Sequence, residues 1–224
     1  MRRTQLIISA LSKYIAGFLM VGLMLFLPAG TWNYFNGWLF VGLLFIPMFL
    51  LGVVLLVKSP ELLEKRLRNK ESESDQKKVV GASLVMFLAG FIFSALDFRF
   101  GWTNVPMPVV IAASVILLVS YGLYAEVMRE NVYLSRTVEI QKEQKVIDTG
   151  LYGVVRHPMY FSTVLLFLSI PVVLGSWIGF AIFCIYPFLL VKRIKNEEMV
   201  LEEGLAGYKE YKEKVRYRMI PFVW

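Results

Sequence analysis

Arg156-His157-Pro158-Met159-Tyr160 carries the chain's only histidine and stands at the head of a long apolar stretch. Arg193-Ile194-Lys195-Asn196-Glu197-Glu198 closes that stretch, far enough along for one helix across a membrane and one back. Two ionisable clusters distant in sequence would then meet at one membrane face and form one active site. Proline has no N–H to lose at the first position of a helix, so His157 is expected at the cap, with a helix starting at Pro158. The free N–H groups of such an end attract a carboxylate or phosphate, and Arg156 and His157 can add donors. A capped helix with a snorkelling arginine is the plainer reading of the same tripeptide. Arg193 and Glu197 are four residues apart and share a helical face. As a surface ion pair they would be worth only about 0.2–0.5 kcal/mol, and the base-before-acid order is the weaker one. Alternatively Arg193 grips a carboxylate in bidentate fashion while Glu197 holds a hydroxylated or cationic ligand.

The elements that must position these residues are membrane helices. The chain has 224 residues, of which 57% are hydrophobic and 18% charged. Its mean hydropathy is +0.60, too apolar for a soluble domain of this length. Residues 14–29, 38–57, 79–96, 109–125, 159–174 and 177–191 contain no Asp, Glu, Lys, Arg or His. A spanning helix needs about 17–25 apolar residues, so the first and the last two are short. The last two, joined by Gly175-Ser176, suggest a tight hairpin. Backbone groups in lipid must bond internally, and the even spacing of a barrel is absent. The expected fold is therefore all-α, a polytopic bundle of five to six spans with a cytoplasmic C-terminal helical segment.

Of the 24 Lys and Arg residues, all but Arg99 fall in the N-terminal stretch, the 58–78 and 126–158 loops, or the tail from Lys192. The positive-inside rule then places both termini and both clusters in the cytoplasm. The net charge of +7 belongs to this asymmetry and not to a nucleic-acid surface, since the basic residues border spans and no recognition motif appears. Arg2-Arg3 ahead of an apolar run suggests a signal peptide, but Lys13 interrupts the run and no small-x-small site follows, so a retained first helix is expected. Cys184 lies inside a span, where packing is its default role, and no zinc pattern is present.

Three regions follow: an N-terminal transmembrane hairpin (1–57), a cytoplasmic connector (58–78) and a core (79–224). In the connector, Leu62, Leu63, Arg66 and Leu67 fit a short interfacial helix ahead of a polar Ser/Glu linker. Asp148-Thr149-Gly150 signals a turn. Residues 196–214 read as an amphipathic helix broken by Gly204 and Gly207.

Taken together, Val146-Ile147-Asp148-Thr149-Gly150-Leu151-Tyr152, then Arg156 to Tyr160, then Arg193 to Leu201, Tyr208-Lys209-Glu210-Tyr211 and Ile220-Pro221 resemble the isoprenylcysteine carboxyl methyltransferase family. The wider group includes membrane phospholipid N-methyltransferases. The likeness covers residues 137–224 in order and spacing. It implies that S-adenosylmethionine binds at the cytoplasmic ends of the last helices. It also implies that Gln144, Lys145, Val146, Ile147, Tyr152, His157, Pro158, Met159, Tyr160 and Glu197 contact this cofactor. By the same resemblance Arg193 orients a substrate carboxylate, and the acceptor is a lipophilic or lipidated molecule entering from the bilayer. Ser162 stands where the family often has glycine, which implies different packing just inside the membrane.

Methyl transfer from a sulfonium to a carboxylate needs no metal and no general base, only two ligands held in line. Rival readings are a lipid N-methyltransferase, an NADPH-dependent membrane reductase, a non-catalytic scaffold, and a transporter. The last would show ionisable residues within its spans, which these segments lack.

Overall fold

The structure is a computed structural model, and residues 3–67, 74–134 and 140–224 are described. Arg2, the 68–73 part of the connector and the 137–139 start of the family likeness lie outside them. The described chain is all-helical, with five helices long and apolar enough to cross a membrane. In order these elements are α1 (Arg3–Ala29), α2 (Phe35–Lys58), α3 (Pro60–Leu67), α4 (Ser74–Phe100), α5 (Met107–Glu130), α6 (Pro158–Val173), α7 (Trp177–Phe183), α8 (Tyr186–Gly204) and α9 (Tyr208–Lys214). A single 3-10 turn, Gly150–Gly153, precedes α6. Each of the first four spanning helices overruns its charge-free segment, because the flanking polar residues continue the helical hydrogen bonds.

Two boundaries depart from expectation. The sixth stretch is two helices, with Cys184 and Ile185 between α7 and α8. Pro187, in the first turn of α8, cannot donate to the carbonyl one turn back, which is why the ladder is interrupted there. Conversely, no separate amphipathic helix starts at residue 196. α8 carries Arg193, Glu197 and Glu198 straight out of the apolar region as far as Gly204. The expected break follows, Gly207 taking φ +83° ahead of α9.

Large apolar side chains such as Leu27 and Phe188, about three-quarters exposed, point outward, as a lipid-facing surface requires. Inside, Phe87, Phe91, Phe167, Phe183 and Tyr186 pack edge to face between α4, α6, α7 and α8. Gly90 lets the Phe183 ring approach α4, since a Cβ there would lie 2.2 Å from it.

The connections separate into two ends. At one, Asp97 is fully buried, its carboxylate accepting from Thr103 N at 2.6 Å, from Thr103 Oγ1 at 2.5 Å and from Ser176 Oγ. Tyr34 donates to Leu174 O at 2.7 Å beside it. These bonds fasten the α2, α4, α5 and α7 ends together. At the other end α3 buries Leu62 and Leu63, Lys13 of α1 donates to Leu67 O, and Lys65 donates to Val132 O at 3.4 Å. That end also holds the start of α6, the end of α8 and α9.

Candidate active site

α6 begins at Pro158 with His157 at its N-cap, as the Arg-His-Pro sequence predicts. The snorkelling arginine expected of the plainer reading is not found, however. Arg156 does not snorkel: it lines the pocket but is only 5% exposed, donating to Glu198 Oε1 at 2.8 Å and to the carbonyls of Val215 and Arg216 at 2.7 and 2.8 Å. His157 makes no side-chain cap bond. Its Nε2 faces Glu198 Oε1 at 3.2 Å, which assigns that nitrogen the proton, because a carboxylate only accepts. Glu198 Oε2 accepts in turn from Arg218 Nε at 2.8 Å. The backbone closes the same junction, Arg156 N donating to Tyr217 O at 2.9 Å and His157 N to Arg218 O at 2.7 Å. Glu198 is thus the buried hub that clamps the C-terminal segment over the start of α6. The sequence held one signal of this: two adjacent acids, Glu197 and Glu198, of which one can serve as counter-charge to an arginine.

On a neighbouring face of α8, Glu197 and Arg193 are half-buried and face a pocket. Tyr160, in the first turn of α6, links them: its hydroxyl accepts from Arg193 Nε at 2.9 Å and donates to Glu197 Oε2. Arg193 and Glu197 are therefore held by a third residue from another helix. Ser162, the departure from the family pattern, is fully buried and bonds back to Met159 O at 2.7 Å, satisfying its own hydroxyl inside the helix.

The pocket lies between the 144–147 segment, the start of α6, the end of α8 and α9, and encloses about 870 Å³ including the solvent at its mouth. Of the expected site residues, Gln144, Lys145, Val146, Ile147, Tyr152, His157, Met159, Tyr160, Arg193 and Glu197 line it. Pro158 does not, and serves to start the helix. Tyr152 is fixed from both sides, its hydroxyl accepting from Asn131 Nδ2 at 3.0 Å and its carbonyl from Tyr211 Oη at 2.7 Å. Burial raises its phenol well above the ordinary tyrosine range. Lys214 donates to Asp148 at 2.7 Å and holds that carboxyl below its usual range, tying α9 to the turn before α6. Gln144 turns its side-chain oxygen to Gln141 N at 2.9 Å and shapes the loop.

The sequence reading missed Tyr208 as a pocket residue. It is 4% exposed, lines the pocket, and its hydroxyl is the one buried side-chain polar atom without a hydrogen-bond partner among the described residues. Chemically the pocket has a charged side, built of Arg193, Tyr160 and Glu197, and an apolar side, where Val146, Leu201 and Leu205 pack in one cluster with Tyr208.

Residues 109–203 match the model of the Isoprenylcysteine carboxyl methyltransferase (ICMT) family, so the chain is related to that family over this stretch, which includes α6, α7 and most of α8. A weaker likeness joins it to Delta(14)-sterol reductase TM7SF2 of Mus musculus, 29% identical over 91 residues, which are 39% of this chain and 22% of that protein.

Proposed function

We propose that this multi-pass membrane protein, related to the ICMT family over residues 109–203, is an S-adenosylmethionine-dependent methyltransferase that O-methylates a carboxylate of a lipophilic, isoprenylcysteine-like acceptor. The observation that carries the reading is the single pocket that gathers the 144–147 segment, the α6 start, and Arg193 and Glu197.

The residues present fit such a donor. Glu197 offers an acceptor to hydroxyl or ammonium groups, the Val146, Leu201 and Leu205 side suits a flat apolar base, and Tyr208 leaves a buried hydroxyl for it. When bound, S-adenosylmethionine supplies an electrophilic methyl on a sulfonium. The chain's own residues position the acceptor. The Arg193 guanidinium binds and orients its carboxylate. Tyr160 fixes the distance between Arg193 and Glu197, so that the two ligands they hold share one geometry. No side chain needs to move a proton, because a carboxylate attacks as the anion.

The test is binding and turnover by the purified protein in lipid. S-adenosylhomocysteine is expected to saturate it and NADPH not to. Labelled S-adenosylmethionine incubated with a lipid extract should yield a base-labile methyl ester. A labelled, base-stable headgroup amine would replace this reading with a lipid N-methyltransferase. Saturation by NADPH alone would favour the reductase reading that the sterol reductase likeness suggests. Binding of neither would leave a non-catalytic membrane protein.

A further inference from the structure

Outside the paired charges of the site, the one buried side-chain polar atom left over among the described residues is the Tyr208 hydroxyl. Leaving a buried hydroxyl without a partner costs about 1–3 kcal/mol, so such groups in native proteins have a reason. The surroundings limit what the reason is. Tyr208 starts α9 directly after the αL residue Gly207, and packs with Leu205, Tyr211 and Val215, with Val146 and Leu201 against them. Its ring thus packs within an apolar cluster, and the residue lines the pocket. Burial, followed by the nearby charges of Glu198 and Glu197, pushes the phenol well above the ordinary tyrosine range. It stays protonated and acts as a donor. A buried donor at the edge of an apolar cluster suits a flat, weakly polar group that carries an acceptor on its edge.

Resting on the methyl-donor reading, we infer that Tyr208 is a specificity residue of this pocket, donating a hydrogen bond to a ring nitrogen of the donor's adenine. The charged remainder of the donor then falls on the Glu197 side. A purine lacking that nitrogen would leave the hydroxyl unpartnered, and its rejection is the selectivity the residue provides.

The experiment uses the full-length protein in nanodiscs and measures affinity for S-adenosylhomocysteine and for its 1-deaza, 3-deaza and 7-deaza analogues, in the parent and in Tyr208→Phe. The variant should bind S-adenosylhomocysteine about three- to tenfold more weakly. One of the three analogues should lose a similar factor on the parent, and that loss should vanish in the variant. Its ligand-free melting temperature should equal the parent's or exceed it, because the variant removes an unsatisfied polar atom. If Tyr208→Phe binds like the parent, or shows the same discrimination among analogues, the inference falls while the donor reading stands. A lowered ligand-free melting temperature would mean the hydroxyl serves the fold, and also overturns it. Failure of the parent to bind S-adenosylhomocysteine overturns the donor reading and this inference together.

Discussion

Tyr160 spans two opposite charges on one face of α8, so a change at either charge is buffered by the phenol and the two should fail differently. Glu197→Gln removes a charged acceptor and is expected to raise the dissociation constant for S-adenosylhomocysteine. Arg193→Lys should leave that constant nearly intact. It keeps the charge but loses the fork, so its defect belongs in acceptor KM, kcat or both, at about 1.5–3 kcal/mol. Equal, small effects of both variants on binding and turnover would mean a surface ion pair and end the assignment. Glu198 answers a different question. Its loss strands Arg156, which is buried with its carboxylate partner, and breaking such a pair costs about 3–5 kcal/mol. Glu198→Ala should therefore lower the melting temperature without ligand more than Glu197→Gln does, and a variant as stable as the parent would contradict the clamp. This division between neighbours was not legible in the sequence. Adjacent residues lie about 100° apart around a helix, so one acid faces the pocket and the other faces the C-terminal segment. Which is which depends on the 217–218 backbone lying against residues 156 and 157, a contact between distant parts of the chain.

At the scale of elements, the turn before α6 shows how closely the site depends on its supports. Gly150 has φ +53°, and a Cβ there would lie 1.4 Å from Glu130 Oε1. The Glu130 carboxylate needs that space, because it accepts the Leu151 N–H at 3.0 Å and so fastens the end of α5 to the turn that presents Tyr152. Gly150→Ala is expected to cost about 2–3 kcal/mol, about 1 from the left-handed backbone and the rest from the displaced carboxylate. In a Glu130→Ala background the added cost should fall to the backbone part, as thermal unfolding of the four variants would show. Full additivity would mean that the carboxylate and Gly150 do not compete for space. The Asp148-Thr149-Gly150 turn, the Pro158 helix start and the break between α8 and α9 were all readable, since each rests on a local backbone signal: glycine permits the left-handed φ at 150 and 207, and proline fixes φ at 158. The shared helical face of Arg193 and Glu197 was readable too, but the unbroken run of α8 on to Gly204 was not. Charged residues end an apolar stretch but do not end a helix, and the buried face of α8 continues through Leu190, Ile194 and Glu198.

For the whole molecule, apolar stretches marked where the spanning helices lie because lipid demands them, the sixth proving to be two helices, and charge asymmetry gave an expectation of orientation that can be tested on the finished fold. The two ends of the bundle differ in chemistry. One is fastened by the neutral hydroxyls and amides around Asp97, with Phe26, Trp32 and Trp38 stacked beside them, and Arg99 there donates to Pro28 O at 3.3 Å. The other gathers the buried Glu198 junction and the pocket. Basic residues resist translocation, so the pocket end is expected in the cytoplasm, where the proposed soluble methyl donor would reach it directly and the proposed acceptor would arrive along the bilayer. Trp32 and Phe222, 71% and 86% exposed, lie at the opposite ends and serve as reporters. In a Cys184→Ser background, a membrane-impermeant maleimide on intact cells should label Trp32→Cys, and should label Phe222→Cys only after permeabilisation. The reversed pattern would overturn the orientation. Labelling of both sites on intact cells would show that the two ends do not face opposite sides, and a pocket open to the outside would have no supply of a donor made in the cytosol.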